Sequence, residues 1–284
     1  MVKKNLKSII KILIICRGDL DKNKSKYKLT GIPHVYWLNL DRYTDRQEYM
    51  LEQLEYWGIE NHTRVSGIDG KEDDPSSYLK GRVPENMNPG EIGCVLTHLS
   101  ALKHFVEETD YDEVMIMEDD VDLSTAKHWT FTWRDVRKKL PINFDTCQFT
   151  IINPNGIQLK IHHRFINDFS AACYIITRHH ATKVLKCHQR GSFWKIDQNI
   201  RPRAVSEDLI LDSGKGYALP IFNYRLDMGS AIHEEHIDIF HKDSKQGLEE
   251  YWKLNGQDIL LDQIMELDEY VGRIPPSAYT QQQS

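Results

Sequence analysis

Met115-Ile116-Met117-Glu118-Asp119-Asp120-Val121-Asp122 is an apolar strand that runs into four carboxylates within five positions. Negative charges so close together repel one another unless a cation sits among them. Carboxylate oxygens at the end of a buried strand suit a hard divalent ion, and an ion held by few carboxylates keeps positions open for phosphate. The stretch therefore points to an enzyme that handles a nucleotide or a sugar phosphate. The plain alternative is a strand-to-helix turn in which Asp122, Leu123 and Ser124 cap the next helix.

The flanking segments give this strand a setting. His34 to Leu40 reads as a compact apolar strand, followed by a charged turn and a helix from Arg46 to Trp57. Arg64 to Gly70 reads as a second strand ending in a glycine turn, and Glu72 to Asn88, with Pro75 and Pro84, as a long loop. Glu91 opens a helix whose Ile92, Val95, Leu96, Leu99, Leu102 and Phe105 form a broad buried face. Beyond the acidic run come a helix from Trp129 to Lys139, a strand from Thr146 to Ile152, a turn at Asn153 to Gly156, a strand from Phe169 to Thr177 and a helix from His179 to Cys187. Strands alternating with helices predict an α/β domain with a mostly parallel central sheet flanked by helices, whose ligand crevice lies beyond the carboxyl ends of the strands. The acidic run sits at such an end.

Bulk properties narrow the function further. The 284 residues are 40% hydrophobic and 27% charged, with a net charge of -6, which is ordinary globular usage. No basic stripe interleaved with aromatics is present, so nucleic acid is not the expected partner. The five cysteines lack any C-x-x-C spacing and predict reduced thiols and a cytoplasmic setting. Lys3, Lys4 and Lys7 precede a short apolar run, Ser8 to Cys16, which is interrupted by Lys11 and lacks a small-x-small cleavage site. It reads as an extra strand or leader, with peripheral membrane association as the alternative and no transmembrane segment. The expected division is a leader and linker over residues 1–30, a catalytic domain over 31–245 and a helical extension with a polar tail over 246–284.

Four segments in one order carry a resemblance. They are Tyr36-Trp37-Leu38-Asn39-Leu40-Asp41-Arg42 with Asp45-Arg46, Gly90-Glu91-Ile92-Gly93-Cys94 with His98, Met117-Glu118-Asp119-Asp120-Val121, and Ala171 to Thr177 followed by Ala181. Together they resemble glycosyltransferase family 25, the lipopolysaccharide-type and collagen-type galactosyltransferases of GT-A fold. The resemblance spans roughly Val35 to Ile232. It implies a metal-dependent, inverting transfer of galactose or glucose from a UDP-sugar to a hydroxyl of a glycan or glycosylated protein, with Mn2+ or Mg2+ as cofactor. The rival class is a carbohydrate-binding or scaffolding relative that keeps the fold without turnover. A nucleotidyltransferase or phosphohydrolase would need a basic phosphate-cradling loop or a second carboxylate cluster, and neither is evident.

The resemblance also implies roles. Asp120 is the first choice as metal ligand, and Glu118, on the same side of a continuing strand, reaches the ribose or the metal shell. Asp119 points the other way in a regular strand, and the register Asp120-x-Asp122 stays open. Asn39, Asp41, Arg42 and Arg46 follow the first strand, where base and ribose would lie, and a guanidinium of Arg42 or Arg46 matches phosphate as a fork. Their plain alternative is helix capping and surface ion pairs. Asp69 lies between Gly67 and Gly70 in the turn after the second strand. Glu91 and His98 share one helical face and orient the sugar or other groups, the alternative for His98 being a buried, backbone-bonded ring. Glu91, Cys94 and His98 include three metal-ligand types, but the spacing is not that of a zinc site. Asp208 is the expected base for the acceptor hydroxyl, with Glu207 in reserve, unless both simply start a helix. His233 completes the metal shell, although His236 and His241 recur nearby. The acceptor and the oligomeric state are not legible.

Overall fold

The apolar runs become strands buried on both faces. The computed structural model describes residues 25–153, 157–196, 204–227 and 241–267. In chain order the strands are β1 (Val35–Asn39), β2 (His62–Ser66), β3 (Glu113–Glu118), β4 (Val121–Asp122), β5 (Thr146–Gln148), β6 (His162–His163), β7 (Cys173–Thr177), β8 (Gln189–Arg190), β9 (Phe193–Trp194), β10 (Gly216–Ala218) and β11 (Asn223–Tyr224). Seven form one sheet in the order β2-β1-β3-β7-β5-β10-β6, while β4 pairs with β11 and β8 with β9. Five of the seven share one direction, and β7 and the edge strand β6 are reversed. The expected mostly parallel sheet is present, with one reversal inside it. The reversal has a local cause: among the described residues no helix crosses between β5 and β7, and the chain returns through an antiparallel bridge between Ile152 and Phe169.

Helices cover both faces: α1 (Thr44–Trp57), α2 (Pro89–Glu108), α3 (Trp133–Lys139), α4 (Arg178–His188), α5 (Lys242–Asn255) and α6 (Leu261–Met265). The period of two in β3 divides the core between them. Met115 and Met117 join Trp37, Met50, Leu54 and Trp133 on the side of α1 and α3. Val114 and Ile116 join Tyr36, Leu38, Leu99, Leu102 and Ala181 on the side of α2 and α4.

Helix starts follow their caps. Asn88 and Glu91 form a reciprocal capping box in front of α2, with Pro89 in the first turn. Thr132 and Asp135 form another, so α3 begins at Trp133 rather than at the expected Trp129, and Ser124–His128 is a separate 3-10 turn. The first turn of α2 is pressed onto the loop after β2. A Cβ at Gly70 would stand 1.7 Å from the Pro89 carbonyl oxygen, and one at Gly93 would stand 2.3 Å from the Ile68 carbonyl oxygen. Only glycine permits that approach.

The expected boundary at residue 246 falls inside α5. The buried Trp252 of that helix packs at 6.1 Å centroid distance from both Trp129 and Phe131, and its indole N–H donates to the Pro220 carbonyl at 3.4 Å. Leu248 and Trp252 belong to the same core as Trp133 and Phe222. Residues 1–24, including the apolar leader, lie outside the described residues, as do residues 154–156 of the expected turn. No helix among the described residues is long and apolar enough to cross a membrane.

Candidate active site

A cleft of about 740 Å³, its mouth included, opens at the carboxyl ends of β1, β2 and β3. Its wall is built from Asn39, Leu40, Arg42 and Tyr43 at and after the end of β1, Arg46 of α1, Gly67 to Lys71 after β2, Glu118 to Asp120 at and after the end of β3, and Gly90, Cys94, Thr97 and His98 of α2. This is the position expected for a ligand in an α/β sheet.

Each carboxylate of the acidic run has a different environment. Asp119 continues the Met115 and Met117 side and meets α1, where Arg46 Nη1 donates to it at 2.7 Å and Asn39 Nδ2 at 2.8 Å. All three side chains are buried. Burial pushes the Asp119 carboxyl up, against the opposing pull of Arg46 and Asn39. Asn39 is fully used: its amide also donates to the Tyr43 carbonyl at 3.1 Å, and its oxygen accepts from Arg64 Nε at 2.9 Å. Asn39 and Arg46, expected to touch the nucleotide, line the cleft and also hold Asp119 in place.

Glu118 continues the Val114 and Ile116 side and meets α2. His98 Nε2 lies 3.1 Å from Glu118 Oε1, and the half-buried Cys94 thiol donates to the same oxygen at 3.8 Å. His98 is fully buried, with Nδ1 3.0 Å from the Tyr174 hydroxyl. A carboxylate can only accept, so Nε2–H donates to Glu118 and the Tyr174 hydroxyl donates to Nδ1. His98 is thus bonded to side chains, not to the backbone as its plain alternative expected. Burial, then the charges of Glu118 and Glu207, push the Cys94 thiol well up. The ligand-type side chains that come together are Cys94, His98 and Glu118, within 4.8 Å of one another, and not the set containing Glu91. Glu91 instead accepts the Asn88 N–H at 2.8 Å as the capping carboxylate, away from the cleft wall.

Asp120 follows in the turn. Its Oδ1 is buried and has no hydrogen-bond partner among the described residues. Burial and the charges of Glu118 and Asp119 push this carboxyl up to about 8, with Arg46 acting against them. Its backbone carbonyl accepts the Arg225 N–H at 2.7 Å, which anchors the turn. Asp122 lies on β4 and accepts the Ser124 N–H at 2.8 Å, so it caps the 3-10 turn and is absent from the cleft wall.

The remaining expected residues divide. Arg42 lines the cleft and is ion-paired with Asp69, and Arg42 and Arg46 flank the Tyr43 ring at 4.8 and 5.0 Å. Asp41 is exposed and accepts from Arg64 and from Ser66 Oγ, contacts that hold its carboxyl below the usual range. Glu207 accepts the Ser170 N–H at 3.0 Å, and Glu207 and Asp208 open a short π-helical turn without lining the cleft. His233 lies outside the described residues. Tyr43, Arg64, Lys71 and Tyr174 escaped the sequence reading, and only Tyr174 had a signal, as an aromatic inside the Ala171 to Thr177 strand.

The model of the family described as glycosyltransferase family 25 (LPS biosynthesis protein) matches residues 32–200, more than half of the chain. This chain belongs to glycosyltransferase family 25. The family match takes in every wall of the cleft. A glycosyltransferase 25 family member of Anopheles gambiae is 31% identical over 115 residues, 37% of this chain and 18% of that protein. Procollagen galactosyltransferase 2 of Mus musculus and that of Homo sapiens are each 33% identical over 102 residues, 32% of this chain and 16% of theirs. The chain spans less than a fifth of the length of these curated relatives.

Proposed function

We propose that this chain transfers a hexose, galactose or glucose, from a UDP-sugar to a hydroxyl of a glycan or glycosylated protein, with inversion and with Mn2+ or Mg2+ as cofactor. The observation that carries the reading is Asp120, whose buried Oδ1 has no partner among the described residues and whose carboxyl is held at about 8 on a cleft wall. A carboxylate in that condition is stabilised by a cation. The residues fit a hard divalent ion: Asp120 and Glu118 would hold it, with His233 as a further candidate outside the described residues. When bound, it supplies positive charge against the diphosphate that leaves.

The chain's own groups do the rest. Asp119, locked by Arg46 and Asn39, keeps the turn that presents Asp120 rigid. Arg42, Asp69 and Lys71 on the cleft wall are assigned to the nucleotide. Asn39 and Arg46 line the cleft and also brace Arg64 and Asp119, while Asp41 acts through Arg64. The acceptor proton goes to a carboxylate of the pair Asp208 and Glu207. Glu207 bears electrostatically on Cys94 and Tyr174, which supports its nearness to the sugar end of the cleft. Within this reading the mixed sheet is of GT-A type, residues 1–30 are a leader, and the transferase domain runs from residue 31 past the expected boundary at 246 to take in α5, whose Leu248 and Trp252 share its core. Galactose is favoured by the names of the mouse and human relatives. The unbonded Cys147 and Cys173, close together in the core, support a cytoplasmic setting.

The test is UDP release from UDP-galactose and UDP-glucose with Mn2+, compared between the wild type and Asp120→Asn, with NMR of the product anomer. Release that is unchanged in Asp120→Asn would remove the metal assignment. Retention of configuration would remove Asp208 and Glu207 as bases.

A further inference from the structure

We propose a second cation site in the same cleft, of different ligand chemistry: Cys94 Sγ, His98 Nε2 and Glu118 form a thiolate–imidazole–carboxylate site for zinc or a similar borderline-soft ion. The three ligand atoms lie within 4.8 Å of one another, with 3.1 Å between nitrogen and oxygen and 3.8 Å between sulfur and oxygen. Ligands about 2.0–2.3 Å from a tetrahedral zinc stand at about such separations from each other. All three residues line the cleft, so an ion has a way in and a fourth position open to water or substrate.

The surroundings are those of a metal-bound histidine. Tyr174 holds His98 Nδ1 at 3.0 Å. Its hydroxyl can accept as readily as donate, so the ring can shift its proton to Nδ1 and turn the Nε2 lone pair toward an ion. Ser206 Oγ, 3.8 Å from Cys94 Sγ, gives the sulfur a second polar neighbour. Cys94 and His98 are one turn apart on α2, whose start is capped by Asn88 and Glu91, so two of the three ligands ride on a rigid element. Asp120 offers only oxygen and suits a hard ion. Sulfur and imidazole select a softer one. The two sites share Glu118.

Cobalt is the probe, because a thiolate bound to Co2+ gives a charge-transfer band in the near ultraviolet. Titration of Co2+ into the reduced, chelator-treated full chain is expected to give that band with one ion per chain, and Zn2+ to displace it. Cys94→Ser should lose the band, and His98→Gln should weaken binding by about tenfold or more. Asp120→Asn should keep it. A wild type without the band, or a band that persists in Cys94→Ser, overturns the site. Independently of any variant, Zn2+ should protect Cys94 of the wild type from alkylation, read by peptide mass mapping, and equal alkylation with and without Zn2+ also overturns it. The band stands or falls apart from Mn2+-dependent UDP release, so failure of the transferase reading is distinguishable from failure of this one.

Discussion

Replacing Asp120 with asparagine should make the metal-free protein more stable, and increasingly so as pH rises. The carboxyl is held at about 8 by burial and by its acidic neighbours, against roughly 4 in an unfolded chain. Below about pH 4 it is neutral in both states and costs nothing. Between about 4 and 8 the unfolded chain releases the proton while the folded chain keeps it, so wild-type stability falls by about 1.4 kcal/mol per pH unit, to a total on the order of 5 kcal/mol. Asparagine has no proton to lose and escapes the decline. Thermal unfolding followed by circular dichroism in chelator should show Asp120→Asn level with the wild type near pH 4. Between about pH 5.5 and 7.5 its lead should widen by about 3 kcal/mol, or roughly 6–12 °C. Mn2+ at a hundred times its dissociation constant should restore about 2.7 kcal/mol to the wild type and nothing to the variant. A lead that does not change with pH, or a variant less stable than the wild type near pH 8, would refute the account of Asp120 as an uncompensated buried carboxyl.

Three further outcomes test the frame around it. Asp119→Ala leaves Arg46 charged and buried without its carboxylate, and denaturant unfolding should show a loss of about 3–5 kcal/mol. Gly70→Ala places a methyl 1.7 Å from the Pro89 carbonyl oxygen; a loss of about 1–3 kcal/mol is expected, and an unchanged midpoint would mean the loop and α2 are not in backbone contact. Trp252→Ala removes a fully buried ring packed against the stacked pair Trp129 and Phe131 and should cost about 3–5 kcal/mol by the same assay. A negligible effect would separate α5 from the core.

What the sequence made legible follows from range. Apolar runs and helical periodicity are local, so β1, α1, α2, β3 and α4 fall close to their expected positions. The reversal of β7 was not legible, because strand direction depends on how the chain returns from β5, and a helix-free connection leaves no periodic mark. The cleft at the ends of β1, β2 and β3 follows from strand order alone. Partners inside it do not: Arg46 meets Asp119 73 residues away, and Glu118 meets His98 20 residues away. Those contacts arise from sheet register, which a single chain's pattern does not display. Glu91 shows the opposite case. Its signal, Asn88-x-x-Glu91 ahead of an apolar helix, is written locally as a capping box. Thr132-x-x-Asp135 was likewise written and explains why α3 starts late.

The strand end at Glu118 and Asp119 has a consequence for how such a motif tolerates change. Adjacent carboxylates are dispatched to opposite layers of the molecule, one to the imidazole and thiol of α2 and the other to the guanidinium of α1. Order in this run is therefore information in a way that charge is not. A Glu118→Asp, Asp119→Glu double variant keeps every charge but exchanges two side-chain lengths between two addresses, and a one-residue insertion in β3 would deliver each to the wrong layer altogether. A search for related sites by acidic content would pass over that distinction, whereas one phased to the strand would find it.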